Sequence, residues 1–279
     1  MVTEMAHAAT SGPTVSAVIL AHHEIDLIEG CVSSARWADE CLVIDDTTTD
    51  RIGPLARAAG ARVEAVPWRG FPGQRNVGLA LATGDWVLFV DADERVPPSL
   101  AREVRERVSD PGKYAGFWVP RRNVIAGEWV KYAGWWPDAQ LRLMQRGSAR
   151  YDESGVVHEV AELDGPSDTL REPLLHLNYE SLDEFRQKQA RYAALEARTL
   201  WERGIRPRPH ALVLQPFREF KRRTVELRGA SQGPLGVRLG LEMALASFWT
   251  YRELLAMTRA ERKLGPVGTA TTETSASSA

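Results

Sequence analysis

Two aspartates on alternate positions, Asp91 and Asp93, follow an apolar run at residues 86–90. A strand there delivers both carboxylates to the edge of a sheet. Hard divalent cations such as Mg2+ or Mn2+ take oxygen ligands and usually share them with substrate phosphates. The bland account is also open: an Asp-x-Asp triplet arises by chance, and Asp93 stands where it can cap a helix opening at Pro97. Two other apolar runs end the same way. His23 and Glu24 follow residues 15–20, and Asp45 and Asp46 follow residues 41–44. Asp45 suits hydrogen bonds from a nucleobase or ribose, whereas Thr48, Thr49 and Asp50 are equally ordinary helix-start residues. Residues 70–76, Gly-Phe-Pro-Gly-Gln-Arg-Asn, read as a turn opening a helix. A helix N-terminus favours anions, and Arg75 adds a guanidinium fork, so a diphosphate fits there.

The elements that carry these groups alternate. Apolar runs at 15–20, 41–44, 62–66 and 86–90 are separated by helical patterns at 27–35, 55–59 and 74–82, and Pro97-Pro98 opens a further helix to Val108. Strands alternating with helices predict a mostly parallel sheet covered on both faces, and such sheets bind ligands at the carboxyl ends of their strands. Residues 121–160 read as loops with short strands. Helical periodicity returns at Leu182, with Phe185, Gln189, Tyr192, Leu195 and Thr199 on one face and Pro207, Pro209 and Pro216 as interruptions. Residues 235–257 are amphipathic, with Arg238 and Glu242 spaced for an i,i+4 pair. The expected organisation is a disordered start at 1–13, a catalytic domain at 14–180, a helical region at 181–264 and a low-complexity Thr/Ser/Ala tail at 265–279.

Composition narrows the class. The 279 residues are 44% hydrophobic and 26% charged, which suits a globular chain and excludes a mostly disordered one. Two cysteines, Cys31 and Cys41, make no disulfide framework, and the chain shows neither a signal peptide nor a spanning segment, so the expectation is cytoplasmic. The net charge of −2 hides an asymmetry. Residues 181–263 hold 17 Lys+Arg against 9 Asp+Glu, a balance of +8. A block of that kind suits an anionic surface, although a solvated helix face is an equally good account.

Taken in order, residues 15–24, 42–50, Gly73–Asn76 and the run Gly84-Asp85-Trp86-Val87-Leu88-Phe89-Val90-Asp91-Ala92-Asp93-Glu94-Arg95 resemble family 2 glycosyltransferases, inverting enzymes of GT-A fold. Gly134-Trp135-Trp136-Pro137-Asp138, Arg142-Leu143 and Val157-His158-Glu159 are similar to the subgroup of bacterial lipopolysaccharide-core β-glucosyltransferases. The likeness is good over residues 14–180 and faint beyond. His23 stands where the family usually has Asn, Thr48 where it has Ser, and Asp46 where a small residue is common.

The resemblance implies an α/β GT-A sandwich with a C-terminal helical extension. Its activity would be sugar transfer from a nucleoside diphosphate donor to a hydroxyl of a glycan or lipid-linked acceptor, in cell-envelope polysaccharide synthesis. Glu24, Asp45, Arg75 and Asp91 would bind the nucleotide sugar. Asp93, with Asp91 and His158, would hold Mg2+ or Mn2+. Glu159 is the candidate base and Asp138 the second. Trp135 and Trp136, in an aromatic cluster with Trp129 and Tyr132, offer ring faces to an acceptor sugar, or pack as core. Nucleic acid is not among the implied partners. The basic block, with Arg218, Lys221, Arg222, Arg223 and Arg228 among Phe217, Phe220, Val225 and Leu227, would dock peripherally on the inner face of the plasma membrane, or pack on the catalytic domain or on a second copy of the chain and expose only a solvated basic rim. Two other classes compete: a non-catalytic binder of nucleotide sugars or nucleic acid, and an aspartate-nucleophile phosphatase, which also places Asp-x-Asp after a strand.

Overall fold

The computed structural model describes residues 12–46, 51–153 and 161–264. The chain divides into two compact units, Met1–Glu180 and Ser181–Ala279. The first unit opens with β1 (Val15–Ala21), α1 (Ile28–Ala35), β2 (Glu40–Asp45), α2 (Ile52–Ala58), β3 (Arg62–Ala65), α3 (Gly70–Leu81) and β4 (Trp86–Asp91). A two-residue strand β5 (Glu94–Arg95) and α4 (Pro98–Ser109) follow. Then come β6 (Gly116–Val119), β7 (Arg121–Ile125), β8 (Glu128–Trp129), β9 (Gln140–Gln145), β10 (Ala149–Arg150), β11 (Glu162–Leu163), β12 (Ser167–Thr169) and β13 (Leu174–Tyr179).

Seven strands form the main sheet in the order β12-β6-β9-β4-β1-β2-β3. β4, β1, β2 and β3 run parallel, as expected of βα alternation. Side chains alternate between the two faces. Val15, Ala17, Ile19, Leu88 and Val90 pack with Ile28, Val32, Ile52, Leu100 and Val104 of α1, α2 and α4. Val18, Leu42, Ile44, Val87 and Phe89 face the other way. A Cβ on Gly78 of α3 would lie 2.8 Å from Val18, so this helix sits directly on that second face. A smaller sheet, β5-β13-β7-β8, stands beside the first.

The loop-rich reading of residues 121–160 misses β9. This strand lies between β4 and β6, antiparallel to both, and buries residues 141–144. Arg142 interrupts its apolar pattern, which hides the strand from a hydropathy reading.

The second unit holds α5 (Leu182–Glu202), α6 (Ala211–Lys221) and α7 (Pro234–Leu264). Ser181 caps α5 by accepting the Glu184 N–H at 3.1 Å. Its buried face is Phe185, Ala193 and Ala197, not the expected Phe185–Tyr192–Leu195 stripe; Tyr192 is 50% and Leu195 62% exposed. Small alanines let the packed backbones approach, and the larger side chains turn outward. Pro207 and Pro209 fall between α5 and α6, whereas Pro216 lies inside α6. Glu242, buried on α7, takes a bidentate pair from Arg186 on α5 at 2.6 and 2.8 Å, with Arg238 of its own helix at 3.8 Å. Among the described residues, no helix is long and apolar enough to cross a membrane.

Both cysteines are free. Burial pushes the Cys31 thiol well up and the Cys41 thiol to about 11, so neither is a nucleophile at neutral pH.

Gly84, two residues before β4, donates its N–H to Ser16 Oγ at 2.8 Å, and an added Cβ would lie 2.7 Å from the Ser16 backbone nitrogen. That neighbour is backbone in a central strand and cannot move away. Gly84→Ala is expected to lower stability by about 1–3 kcal/mol in urea unfolding; a wild-type midpoint contradicts this packing.

Candidate active site

The register of the sheet gathers the polar strand ends. Ala21 pairs with Asp45, and Leu20 with Asp91, so β4, β1 and β2 finish side by side. Asp45 and Asp46 are buried there, and Asp46 is bonded to His22 Nδ1. Glu24 turns back on the chain, accepting the N–H groups of His22 and His23, both at 3.0 Å. Trp68, with its ring 5.0 Å from that of His22, and Phe71, edge-on to Trp68 at 4.9 Å, form an aromatic group at this corner that sequence reasoning did not single out. Both rings are exposed. Thr48, Thr49 and Asp50 lie outside the described residues.

Alternation sends Val87, Phe89 and Asp91 to the face that α3 covers. Asp91 therefore meets Arg75, whose Nη2 is 3.3 Å from Oδ1. The Arg75 guanidinium lies over Phe89 and Tyr151, 5.3 and 5.7 Å from their ring centres. Arg142 comes from the neighbouring β9 and bonds both Asp91 oxygens, Nη1 at 2.9 Å from Oδ1. It also reaches Glu94 Oε1 at 3.2 Å. Glu94 is fully buried and accepts the Asp91 N–H at 2.9 Å. Burial raises the Asp91 carboxyl, but Arg142 and Arg75 overcome it and hold the group well below the usual carboxylate range. Burial pushes Glu94 up, and Arg142 opposes it only in part. Arg75, Asp91, Arg121, Gln140, Arg142 and Tyr151 line a cavity of about 220 Å³.

Asp93 is placed differently. It lies past the end of β4, part-exposed, and among the described residues no Arg or Lys is bonded to it. It does not cap α4, whose N-terminus has no side-chain cap. Its Oδ2 is 3.3 Å from His176 Nε2 on β13. His176 Nδ1 donates to Asn123 Oδ1 at 2.7 Å. The Asn123 amide is oriented by its own donations, to Trp135 O at 2.9 Å and Asp138 Oδ2 at 3.0 Å. Asp138 also takes Arg121 Nε at 3.0 Å and Nη2 at 2.7 Å, and sits at a φ of 40°, which few non-glycine residues adopt. Trp135 packs edge-on to Tyr179, and exposed Trp136 edge-on to Trp129, whose ring has Arg122 and Lys131 at 4.2 Å.

The structure thus brings Asp91 and Arg75 together on the α3 face, leaves Asp45 at the end of β2 on the opposite face, against Gly53 of α2, and joins Asp93 to Asp138 and Trp135 through His176 and Asn123. Glu159 and His158 lie outside the described residues. Among the described residues, no group of three His, Cys, Asp or Glu side chains converges as a ready-made metal cage. Asp93 with a histidine nitrogen beside it still fits a cation that takes its remaining ligands from a diphosphate. Arg142, Arg121, Asn123 and His176 were not assigned roles from sequence. Arg142 was visible as a lone charge in an apolar run; the other three carry no local signal.

Removing the Asp91 charge strands two buried guanidiniums. Asp91→Asn is expected to cost, at pH 7, near the low end of the roughly 3–5 kcal/mol seen for broken buried pairs, because Asp91 is part-exposed. A depressed carboxyl contributes its stability above the unfolded value near pH 4 and loses it as the pH falls towards the folded one. The gap between wild type and Asp91→Asn should therefore shrink below about pH 4 in urea unfolding. Equal midpoints at pH 7 contradict the assignment.

The glycosyl transferase family 2 model matches residues 16–158, just over half of the chain. The lipopolysaccharide core biosynthesis glycosyltransferase LpsC of Rhizobium meliloti (strain 1021) is 30% identical over 213 residues, covering 72% of this chain and 77% of that protein. An uncharacterized glycosyltransferase of Rickettsia bellii (strain RML369-C) is 35% identical over 91 residues, 32% of this chain and 31% of its own. A solved mannosyltransferase from Pyrobaculum calidifontis, in complex with GDP-Man and Mn2+, has 17% identity and a TM-score of 0.47, covering 93% of this chain and 89% of that one. On the family model and the Rhizobium relative, the chain belongs to glycosyl transferase family 2.

Proposed function

We propose that this glycosyltransferase is an inverting, metal-dependent enzyme. It would move a sugar from a nucleoside diphosphate to a hydroxyl of a glycan or lipid-linked acceptor in cell-envelope polysaccharide assembly. The observation that carries the reading is the different fate of the two aspartates: Asp91 is locked by guanidiniums, and Asp93, past the strand, has no guanidinium among the described residues and sits beside His176. The lipopolysaccharide-core role in the Rhizobium relative's name supports the envelope assignment. We assign catalysis to residues 14–180 and read 181–264 as a helical extension.

In this scheme Asp45 accepts a hydrogen bond from the ribose or nucleobase, and Arg75 lies at the nucleotide. A Mg2+ or Mn2+ ion held by Asp93 supplies positive charge to the departing diphosphate. Inversion needs a base on the face of the sugar opposite the diphosphate. Glu159 is the candidate, with Asp138 second. Arg121 and Asn123 already occupy Asp138 Oδ2, which favours Glu159. Trp135 and Trp136 offer faces for the acceptor. The phosphatase alternative requires the first aspartate of the pair as nucleophile; two guanidiniums on Asp91 oppose that.

Asp93→Ala is expected to abolish transfer with little change in unfolding midpoint, since Asp93 has no guanidinium to strand. Glu159→Gln should slow transfer by roughly 10²–10⁴-fold with donor affinity nearly intact. Undiminished transfer by Asp93→Ala in EDTA sinks the metal reading; a full effect at Asp138 and none at Glu159 moves the base.

The C-terminal unit would bring the enzyme to an anionic membrane surface. Val213, Leu214 and Phe217 on α6, with Val225 just beyond, are exposed large apolar side chains, as are Val237, Leu241 and Leu245 along α7. The cations are more restrained than the sequence suggests. Glu219 pairs with Arg222 at 2.7 Å and Arg223 at 2.8 Å, and Glu226 pairs with Lys221 at 3.2 Å. Five cations less these two acids leave +3, so apolar insertion must share the work with charge. Sedimentation with anionic vesicles should fall several-fold in Val213→Ser with Phe217→Ser, and fall with added salt. Equal sedimentation of the variant, or a concentration-dependent dimer lost in that variant, assigns the face to something other than lipid.

A further inference from the structure

The hairpin of β7 and β8 sets two cations against each other. Ala126 and Gly127 form its two-residue turn at φ of 51° and 80°, the positive pair that a type I′ turn requires. The turn fixes Val124 opposite Trp129, and Val130 N donates to Asn123 O at 2.9 Å one step further on. The same register puts Lys131 opposite Arg122. Alternation sends Arg122, Val124, Trp129 and Lys131 to one face of the smaller sheet. Like charges directly opposite across a ladder are destabilising. Both cations are exposed, and each lies 4.2 Å from the centre of the Trp129 ring. At most twice that distance separates them, about one Debye length at physiological salt.

The nearby acids are engaged or turned away. Asp138 is held by Arg121, the neighbour of Arg122 that alternation turns to the opposite face. Glu128 stands opposite Ile125, on that opposite face as well. Among the described residues no carboxylate is bonded to Arg122. Of two consecutive arginines, one belongs to the candidate site and the other keeps its fork open to solvent. The Trp129 ring offsets part of the repulsion, but it cannot supply the paired oxygens that a guanidinium fork takes best.

Trp136 stands beside these cations. Its ring centre is 5.5 Å from that of Trp129, the two planes are 82° apart, and the ring is exposed. An apolar ring face next to two cations matches a sugar that carries an anionic group. The same loop reaches the candidate site, where Trp135 O and Asp138 Oδ2 accept from Asn123.

Resting on the transferase reading above, we propose that Arg122 and Lys131, gathered on Trp129 beside Trp136, hold a carboxylate or phosphate on the acceptor glycan, so that the enzyme selects acidic over neutral acceptors. The guanidinium takes two oxygens of the anion, the ammonium adds a point charge, and the sugar ring rests on Trp136. The anion also relieves the repulsion between the opposed cations.

The test is equilibrium binding of the full chain to oligosaccharides of matched length, followed by calorimetry. Tetragalacturonate supplies the carboxylate, phosphorylated mannotetraose the phosphate, and mannotetraose is the neutral control. UDP and GDP binding is measured separately. Wild type should bind one acidic probe at least tenfold more tightly than mannotetraose, the gap closing with added salt; the tighter probe identifies the anion. Arg122→Glu should weaken that probe at least tenfold and leave mannotetraose and nucleotide binding unchanged. Arg122→Lys, which keeps the charge and loses the fork, should fall between. The wild-type comparison stands whatever a variant does. Equal wild-type affinity for acidic and neutral probes overturns the proposal, as does acidic binding untouched in Arg122→Glu. Loss of sedimentation with phosphatidylglycerol vesicles in Arg122→Glu, with glycan affinity intact, overturns it in favour of a lipid headgroup. Absence of nucleotide binding in wild type counts against the transferase reading alone, since the glycan series reads the anion site by itself.

Discussion

The buried guanidinium of Arg142 must satisfy two carboxylates, Asp91 and Glu94, and the site is arranged around that demand. Arg142 reaches them from β9, the antiparallel strand between β4 and β6. Its hydrogen bonds fix the last residue of β4, and Glu94 closes the turn by accepting the Asp91 N–H. Arg95 completes the clamp, donating to Ala92 O, Glu94 O and Leu27 O at 2.8–3.0 Å and so tying the turn to the start of α1. Gly30 in α1 leaves room for that side chain; a Cβ there would lie 2.8 Å from Arg95 Nη2. Such a cluster adds little net stability, because desolvation of its charges consumes most of the attraction. Its return is position. Asp93 stands on a turn whose two sides cannot move independently.

This division explains why one short motif serves two purposes. Asp91 belongs to the pleat of β4 and must point at α3, where Arg75 meets it. Asp93 is beyond the pleat, free of that geometry, and faces the smaller sheet. A charge locked to two guanidiniums is a poor ligand and a poor nucleophile; a charge beside an oriented histidine nitrogen is available to a cation. Asp138 and its Arg121 partner continue the same polar seam towards the aromatic loop, so Asp93 and the loop of Trp135 share one hydrogen-bonded framework.

Much of this was legible in the sequence. The βα alternation, the four parallel strands and the polar groups at their ends follow from apolar periodicity, because a buried parallel strand has few ways to be written. Their place at strand ends and at a helix start pointed to Asp45, Arg75, Asp91 and Asp93, and the resemblance gave them expected roles. Three features escaped. β9 was obscured because Arg142 breaks its apolar run, and the charge makes sense only once Asp91 is beside it. His176 and Asn123 lie 83 and 30 residues from Asp93, and nothing local marks them; their role is created by the pairing of β13 with β5 and β7. The face of α5 was misread because spacing favours large side chains, whereas close packing of this helix selected alanines.

The central claim is that the two aspartates divide the labour, Asp91 in the scaffold and Asp93 at the ligand. Diffraction from crystals soaked with Mn2+ and a nucleoside diphosphate, with anomalous scattering to locate the ion, tests it directly. The account predicts Mn2+ bonded to Asp93, with Asp91 still held by Arg142 and Arg75. Mn2+ bonded to Asp91, with Arg142 displaced from it, would contradict the account.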